Sequence, residues 1–359
     1  MRDGMSRRVF GGIALASLIM RPSNAATTTI SLGEVTNITV SLAPVILATS
    51  MGFLEEEGLQ VTNLEFQGGG VLFPQLANKR VTVGFPSPDP LVLSRQPGKD
   101  PLPMRYFYNS VRRSLWEFGV LAESQITDLR QLKGKKLGVG ALTWGNLSTT
   151  RALLRELGLE PAEYELVPVG TGAPAALALQ KGQVDALNLA DSMLAVIENI
   201  GVPLRRLAMP AKYQSLLSDG FVAHEDTIRE RPEILAGFGR AIAKATIAAN
   251  ANPAGCVKAF WRAFPNQKPT KGDDASKLAQ DLRVLQSRLP KLVSFEPDAR
   301  AQFGEYPKGA WRSFVEVLHA GGQLSTTDID VESLYTNQFV PQFNDFDHDE
   351  VLKKARSAL

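Results

Sequence analysis

The chain has 359 residues, 39 lysines and arginines against 37 aspartates and glutamates, one cysteine and 44% hydrophobic residues. Near-neutral charge and ordinary apolar content exclude a nucleic-acid-coating basic protein, a long disordered chain and a fibrous repeat. A lone Cys256 closes no intrachain disulfide, so the fold rests on its core, and this length divides naturally into two lobes.

The first feature in chain order reads as an export leader. Arg2, Arg7 and Arg8 form a positive start, residues 11–20 are a short apolar run, and Ser23-Asn24-Ala25 offers small residues for a signal peptidase. The run is too short for a permanent anchor. Ser6-Arg7-Arg8-Val9-Phe10 fits the twin-arginine form of such leaders. Cleavage after Ala25 would remove Arg2, Arg7, Arg8, Arg21 and Asp3 and shift the formal charge from +2 to −1. A balanced surface of this kind gives no electrostatic case for nucleic acid or anionic lipid. The expected product is a soluble periplasmic protein.

Beyond the leader, short β-rich runs at 28–32, 59–66, 81–85, 137–140, 164–169 and 184–189 alternate with segments of helical spacing. Such alternation predicts an α/β fold with parallel strands and crossover helices. After residue 225 the pattern turns helical. Pro232 opens a helix with an apolar face of Ile234, Leu235, Phe238, Ala241, Ile242 and Ala245, and Asn252-Pro253 ends it. Leu278, Leu282, Leu285 and Leu289 mark a second helix; Trp311, Phe314, Val315 and Leu318 mark a third, stopped by Gly321-Gly322.

One plan occurs twice, about a hundred residues apart. Gly58-Leu59 opens a strand leading to Gly68-Gly69-Gly70, a helix, a strand from Val81, and Pro88-Asp89-Pro90. Gly158-Leu159 opens a strand leading to Gly170-Thr171-Gly172, a helix, a strand from Val184, and Ala190-Asp191-Ser192. Two similarly built lobes explain the duplication. Ligands of open α/β sheets sit beyond the carboxyl ends of the strands, so facing lobes would direct both sets of loops to one cleft.

The loops offer binding chemistry with simpler alternatives beside it. Thr36 and Asn37 either cap a helix or bond a ligand. The glycines at 68–70 either bring backbone N–H groups to a polar ligand or only form a turn. Trp144, followed by Gly145 and Asn146, either stacks on a flat ligand or folds back onto its own lobe. Ser87, Asp89, Asp191 and Asp219 are strand-end polar residues that also suit caps and turns. Catalytic patterns are missing from the sequence. His224, His319 and His348 have no metal-like spacing with one another or with Cys256, and no Walker motif, dinucleotide fingerprint or nucleophile elbow occurs. Cys256 sits among Val257, Phe260 and Trp261 and reads as a buried thiol.

Four segments carry a resemblance: Leu47-Ala48 with Met51-Gly52-Phe53-Leu54-Glu55-Glu56-Glu57-Gly58-Leu59; Asp128-Leu129 with Lys133-Gly134-Lys135-Lys136-Leu137-Gly138-Val139; Ala175-Ala176-Leu177 with Gly182-Gln183-Val184-Asp185-Ala186; and Leu334-Tyr335-Thr336-Asn337-Gln338-Phe339. In this order and spacing the chain resembles the periplasmic solute-binding proteins of ABC transporters, in the group of nitrate, sulfonate, taurine and pyrimidine-precursor binders. The resemblance implies a two-lobed type II (Venus flytrap) fold with crossings near 115–121 and 217–222. The organisation expected is a leader at 1–25, lobe I from 26–117 and the mainly helical 221–340, lobe II at 118–220, and an extension at 341–359. The family's ligand loops map onto Thr36, Asn37, Gly69, Gly70, Ser87, Pro88, Asp89, Trp144, Gly145, Asn146, Asp191 and Asp219. It implies a monomer that binds a small-molecule solute and docks on an inner-membrane permease, with no cofactor, metal or catalytic step. An enzyme of pyrimidine-precursor synthesis on the same lobes, or a sensor reporting to a membrane receptor, are the alternatives. Asp89, Asp191 and Asp219 oppose a bare anion as the ligand, so a small organic solute with a flat or apolar part and donor groups is expected.

Overall fold

The computed structural model describes residues 27–295 and 302–358. The expected leader lies outside the described residues. The first stretch runs β1 (Thr28–Glu34), α1 (Ala43–Ser50), α2 (Phe53–Glu56), β2 (Leu59–Glu65), α3 (Gly69–Ala77), β3 (Val83–Phe85), α4 (Asp89–Ser94) and β4 (Met104–Tyr108). The next is β5 (Trp116–Leu121), β6 (Lys136–Val139), α5 (Leu147–Glu156), β7 (Glu165–Pro168), α6 (Ala173–Gln180), β8 (Ala186–Ala190), α7 (Asp191–Asn199) and β9 (Leu204–Leu207). The last is α8 (Ala211–Gln214), β10 (Phe221–His224), α9 (Glu225–Glu230), α10 (Pro232–Ala251), α11 (Pro253–Ala263), α12 (Asp274–Leu292), α13 (Ala310–Ala320), α14 (Val340–Phe343) and α15 (His348–Ala358).

The strands form two five-stranded sheets, in the orders β2-β1-β3-β10-β4 and β7-β6-β8-β5-β9. Position by position these are the same arrangement, with β6, β7 and β8 standing where β1, β2 and β3 stand. The duplicated plan in the sequence is therefore a duplicated sheet. Pairing is parallel among β1, β2 and β3 and among β6, β7 and β8, whereas β10 and β5 run antiparallel to their neighbours. The sheets are thus mixed rather than parallel throughout. The β-rich runs 104–108 and 116–121, passed over in the sequence, are full members of them.

Two chain segments link the sheets, between β4 and β5 and between β9 and β10, and they hydrogen-bond to each other. The Val111 N–H donates to the Asp219 carbonyl at 2.9 Å and the Ser218 N–H to the Val111 carbonyl at 3.1 Å. Asp219 thus belongs to the connection itself.

The helical last third follows from its punctuation. Pro232 occupies the first turn of α10, and its buried face includes Ile234, Leu235, Phe238, Ala241, Ile242 and Ala245. The Asn252 side chain then accepts from the Gly255 N–H at 2.9 Å, capping α11. Helix α12 packs on α11 and α7, and α13 packs on α5, so both reach the second sheet's helices. A Cβ on Gly321 would lie 2.2 Å from the Ala152 Cα, which is why α13 ends on a glycine where it meets α5. Trp311 lies in a buried aromatic cluster with Tyr106 and Tyr306.

Candidate functional site

The carboxyl ends of β1, β3 and β8 meet the connecting segments around a cavity of about 40 Å³, lined among others by Glu34, Phe85, Trp116, Ser192, Asp219 and Arg288. Room of that size suits one or two waters, so the lobes have drawn together over an almost collapsed cleft.

Loops from the two sheets touch directly. The Asp89 carboxylate, at the start of α4, accepts from the Thr149 N–H at 2.9 Å and from the Thr149 hydroxyl at 2.5 Å. Thr149 lies in the first turn of α5, so an acid of the first sheet caps a helix of the second. Burial pushes the Asp89 carboxyl up to about 6 even though Thr149 pulls it down. The Thr143 hydroxyl donates to the Gln67 carbonyl at 2.6 Å, and the Gly70 N–H donates to the Thr143 carbonyl at 3.2 Å. A Cβ on Gly68 would lie 2.8 Å from that carbonyl, and one on Gly145 would lie 2.4 Å from the Ser87 Oγ. These glycines admit the opposite loop.

Two buried acids line the cavity. Asp219 is 6% exposed, and its Oδ1 is buried without a hydrogen-bond partner among the described residues. Burial pushes its carboxyl up to about 7; Arg288 opposes the shift, while Asp89 and Asp191 add to it. Glu34, 2% exposed at the end of β1, is pushed up to about 8 by burial and by the charges of Asp219 and Glu65, against the pull of Arg288.

Asp191 has a different part. Its carboxylate receives Arg288 Nη2 at 2.7 Å and Nε at 3.0 Å, with Lys291 Nζ at 2.9 Å. Burial alone would raise the Asp191 carboxyl, yet Arg288 and Lys291 hold it below the usual carboxylate range. Lys291 also bonds Glu117 at 2.8 Å, and Arg206 joins Glu117 to Glu198 at 3.1 Å each. This chain of alternating charge ties α12 to the second sheet.

Of the expected binding residues, only Thr36 and Asp219 line the cavity. Asn37 is exposed outside it. Gly69 and Gly70 begin α3, with Gly70 against Thr143; Ser87 and Asp89 meet Gly145 and Thr149 at the inter-sheet contact, and Pro88 immediately precedes α4. Trp144 takes the folded-back alternative: it is 8% exposed, lies where a Gly140 side chain would be, and packs on Trp116 with ring centroids 5.4 Å apart. The Asn146 amide bonds Asn188 at 3.3 Å, inside its own lobe. Sequence reading passed over Glu34, Phe85, Trp116, Ser192 and Arg288. Glu34 was within reach of the strand-end rule, and Arg288 of an arginine interrupting an apolar stripe of α12.

Other reactive groups have structural partners. Cys256 is buried and its thiol pushed up to about 12 by burial. The His224 Nδ1 accepts from the Asp226 N–H at 3.0 Å, capping α9. Among the described residues no group of three His, Cys, Asp or Glu could hold a metal ion, and no helix is long and apolar enough to cross a membrane.

Glu34 and Asp219 bind protons more tightly in the folded chain than in the unfolded one, whose carboxyls titrate near about 4. Each therefore withdraws stability as pH rises from the unfolded value to its folded value. The closed form of the solute-free protein should lose stability between about pH 5 and pH 8, on the order of a few kcal/mol, read as a falling melting temperature. Glu34→Gln should flatten the upper part of this slope. Thermal melts across that interval check it, and a steady rise with pH would contradict it.

Residues 39–256 match the family model described as NMT1/THI5 like. The chain is similar to a riboflavin-binding protein of Chloroflexus aurantiacus, 24% identical over 318 residues covering 87% of this chain and 86% of that protein. It is also similar to a 4-amino-5-hydroxymethyl-2-methylpyrimidine phosphate synthase of Aspergillus parasiticus, 25% identical over 327 residues covering 86% of each. Among solved structures, the alkanesulfonate-binding protein of Xanthomonas axonopodis pv. citri bound to MOPS aligns with a TM-score of 0.65 at 17% identity, covering 87% of this chain and all of that one. With its matched segment spanning more than half of its length and two sheets of one topology, the chain belongs to the NMT1/THI5-like family and has the two-lobed α/β type II fold of periplasmic binding proteins.

Proposed function

We propose that this protein is the extracytoplasmic solute-binding component of an ABC-type importer, acting as a monomer that captures a small organic solute between two lobes and presents the closed form to a membrane permease. In this reading lobe I comprises 26–117 and 221–340, lobe II comprises 118–220, and 341–359 is an extension. The observation that carries it is the cavity between the sheets, walled by strand ends of both and by the unpartnered carboxyl of Asp219 on the connecting segment. Solute binding would shift the population from open to closed, with the Asp89–Thr149 contact forming on closure. Carboxyl groups facing the cavity disfavour a bare sulfonate or nitrate, and the rings of Trp116 and Phe85 suit a flat or apolar part. A synthase reading draws on the likeness to the Aspergillus enzyme. The buried thiol of Cys256 and the capping role of His224 leave neither as a free nucleophile or base at the cleft.

Native mass spectrometry of gently prepared protein tests the proposal. A retained small organic molecule, released intact on unfolding at one per chain, is expected. A molecule chemically converted during incubation would favour the synthase instead.

A further inference from the structure

The cleft is built with more negative than positive capacity. Glu34 and Asp219 both line the cavity, 2% and 6% exposed, and the Asp219 Oδ1 is buried with no hydrogen-bond partner among the described residues. The cation nearest to hand, Arg288, lines the same cavity but is held by Asp191 through Nη2 at 2.7 Å and Nε at 3.0 Å. Buried acids without partners are costly, and such costs persist where they serve a ligand. An arginine whose Nε–Nη2 edge is already chelated by a carboxylate has much of its charge met before any anion arrives.

We propose that the solute carries a protonated nitrogen centre, an amidinium or ammonium group, seated between Glu34 and Asp219 with its flat part along Trp116 and Phe85, in a cleft held wider than the cavity of about 40 Å³ seen here. This deepens the solute-binding reading above and rests on it. The positive centre also explains how closure waits for the solute. In the empty cleft, shutting the lobes buries both acids near Asp89 and Glu65, with Arg288, already engaged by Asp191, to offset them, so their ionised forms resist closure. A cation between them removes the resistance, and it is the difference in affinity for open and closed states that drives closing.

Benzamidine, benzamide and benzoate form a matched set of flat probes that are cationic, neutral and anionic near neutral pH. By calorimetry at pH 7, benzamidine should bind at least about tenfold more tightly than benzamide, and benzoate more weakly still, as a desolvated charge pair requires. Glu34→Gln and Asp219→Asn should each abolish the preference for benzamidine while raising the melting temperature at pH 8, which shows that the variants are folded. Benzoate or benzamide binding as tightly as benzamidine, or a preference that survives both replacements, overturns the proposal. A retained solute with no basic nitrogen overturns the charge assignment while the solute-binding reading stands. Absence of both a retained solute and binding by any probe overturns the two together.

Discussion

Gly145→Val is expected to hold the cleft open and weaken solute binding by about 100-fold or more, because affinity falls with the fraction of molecules able to close. A Cβ at this position would stand 2.4 Å from the Ser87 Oγ and 2.9 Å from the Pro90 Cδ, atoms of the opposite lobe. The Ser87 hydroxyl can turn aside, but the Pro90 ring cannot and the valine methyls reach beyond the Cβ, so the lobes must separate locally. In an open cleft the same side chain meets no obstacle across the gap, and the melting temperature of the solute-free protein should change by only a few degrees. The expected pattern is lost affinity with a retained fold. Unaltered affinity in the variant would show that Gly145 and Ser87 do not need to meet for binding.

Arg288→Met should be the most destabilising of these changes. It leaves Asp191, 1% exposed, with Lys291 as its remaining cation at 2.9 Å. Removing one partner of a buried ion pair costs about 3–5 kcal/mol, and Lys291 places this case toward the lower end. A drop of about 10 °C in melting temperature follows for a chain of this size. Asp191→Leu combined with Arg288→Met should recover most of the loss, since neither charge is then stranded. Arg288 also holds the Glu34 and Asp219 carboxyls down, so its removal should displace the pH-dependent loss of stability upward. A single variant costing less than about 1 kcal/mol would place the Arg288–Asp191 pair among weak surface bridges instead.

The architecture was legible wherever a local pattern sufficed. Apolar spacing in α10 and α13, with Pro232 and Gly321 as punctuation, located helices whose buried faces match the reading. The repeated strand–glycine–helix–strand–aspartate plan became two sheets of identical order. Strands β4 and β5 were missed because a chain crossing, not a crossover helix, lies between them. They follow long-range pairing with β10 and β8.

The site was harder to read because its contacts join residues far apart in the chain. Asp89 and Asp191 occupy equivalent positions at the starts of α4 and α7, yet one caps a helix of the other lobe and the other takes Arg288, 97 positions on. No local pattern distinguishes these outcomes. Trp144 shows the same limit in another form: its loop composition suits a ligand, but Gly140 leaves a gap that the indole fills. Glu34 was within reach, since it ends the first strand of an open α/β sheet, where ligands gather.

Small-angle scattering of the wild-type protein, emptied by unfolding and refolding and then given back its released solute, tests the clamshell account most directly. The account predicts a smaller radius of gyration with solute than without, and no such compaction in Gly145→Val. Identical scattering of the wild-type protein with and without a demonstrably bound solute would contradict it.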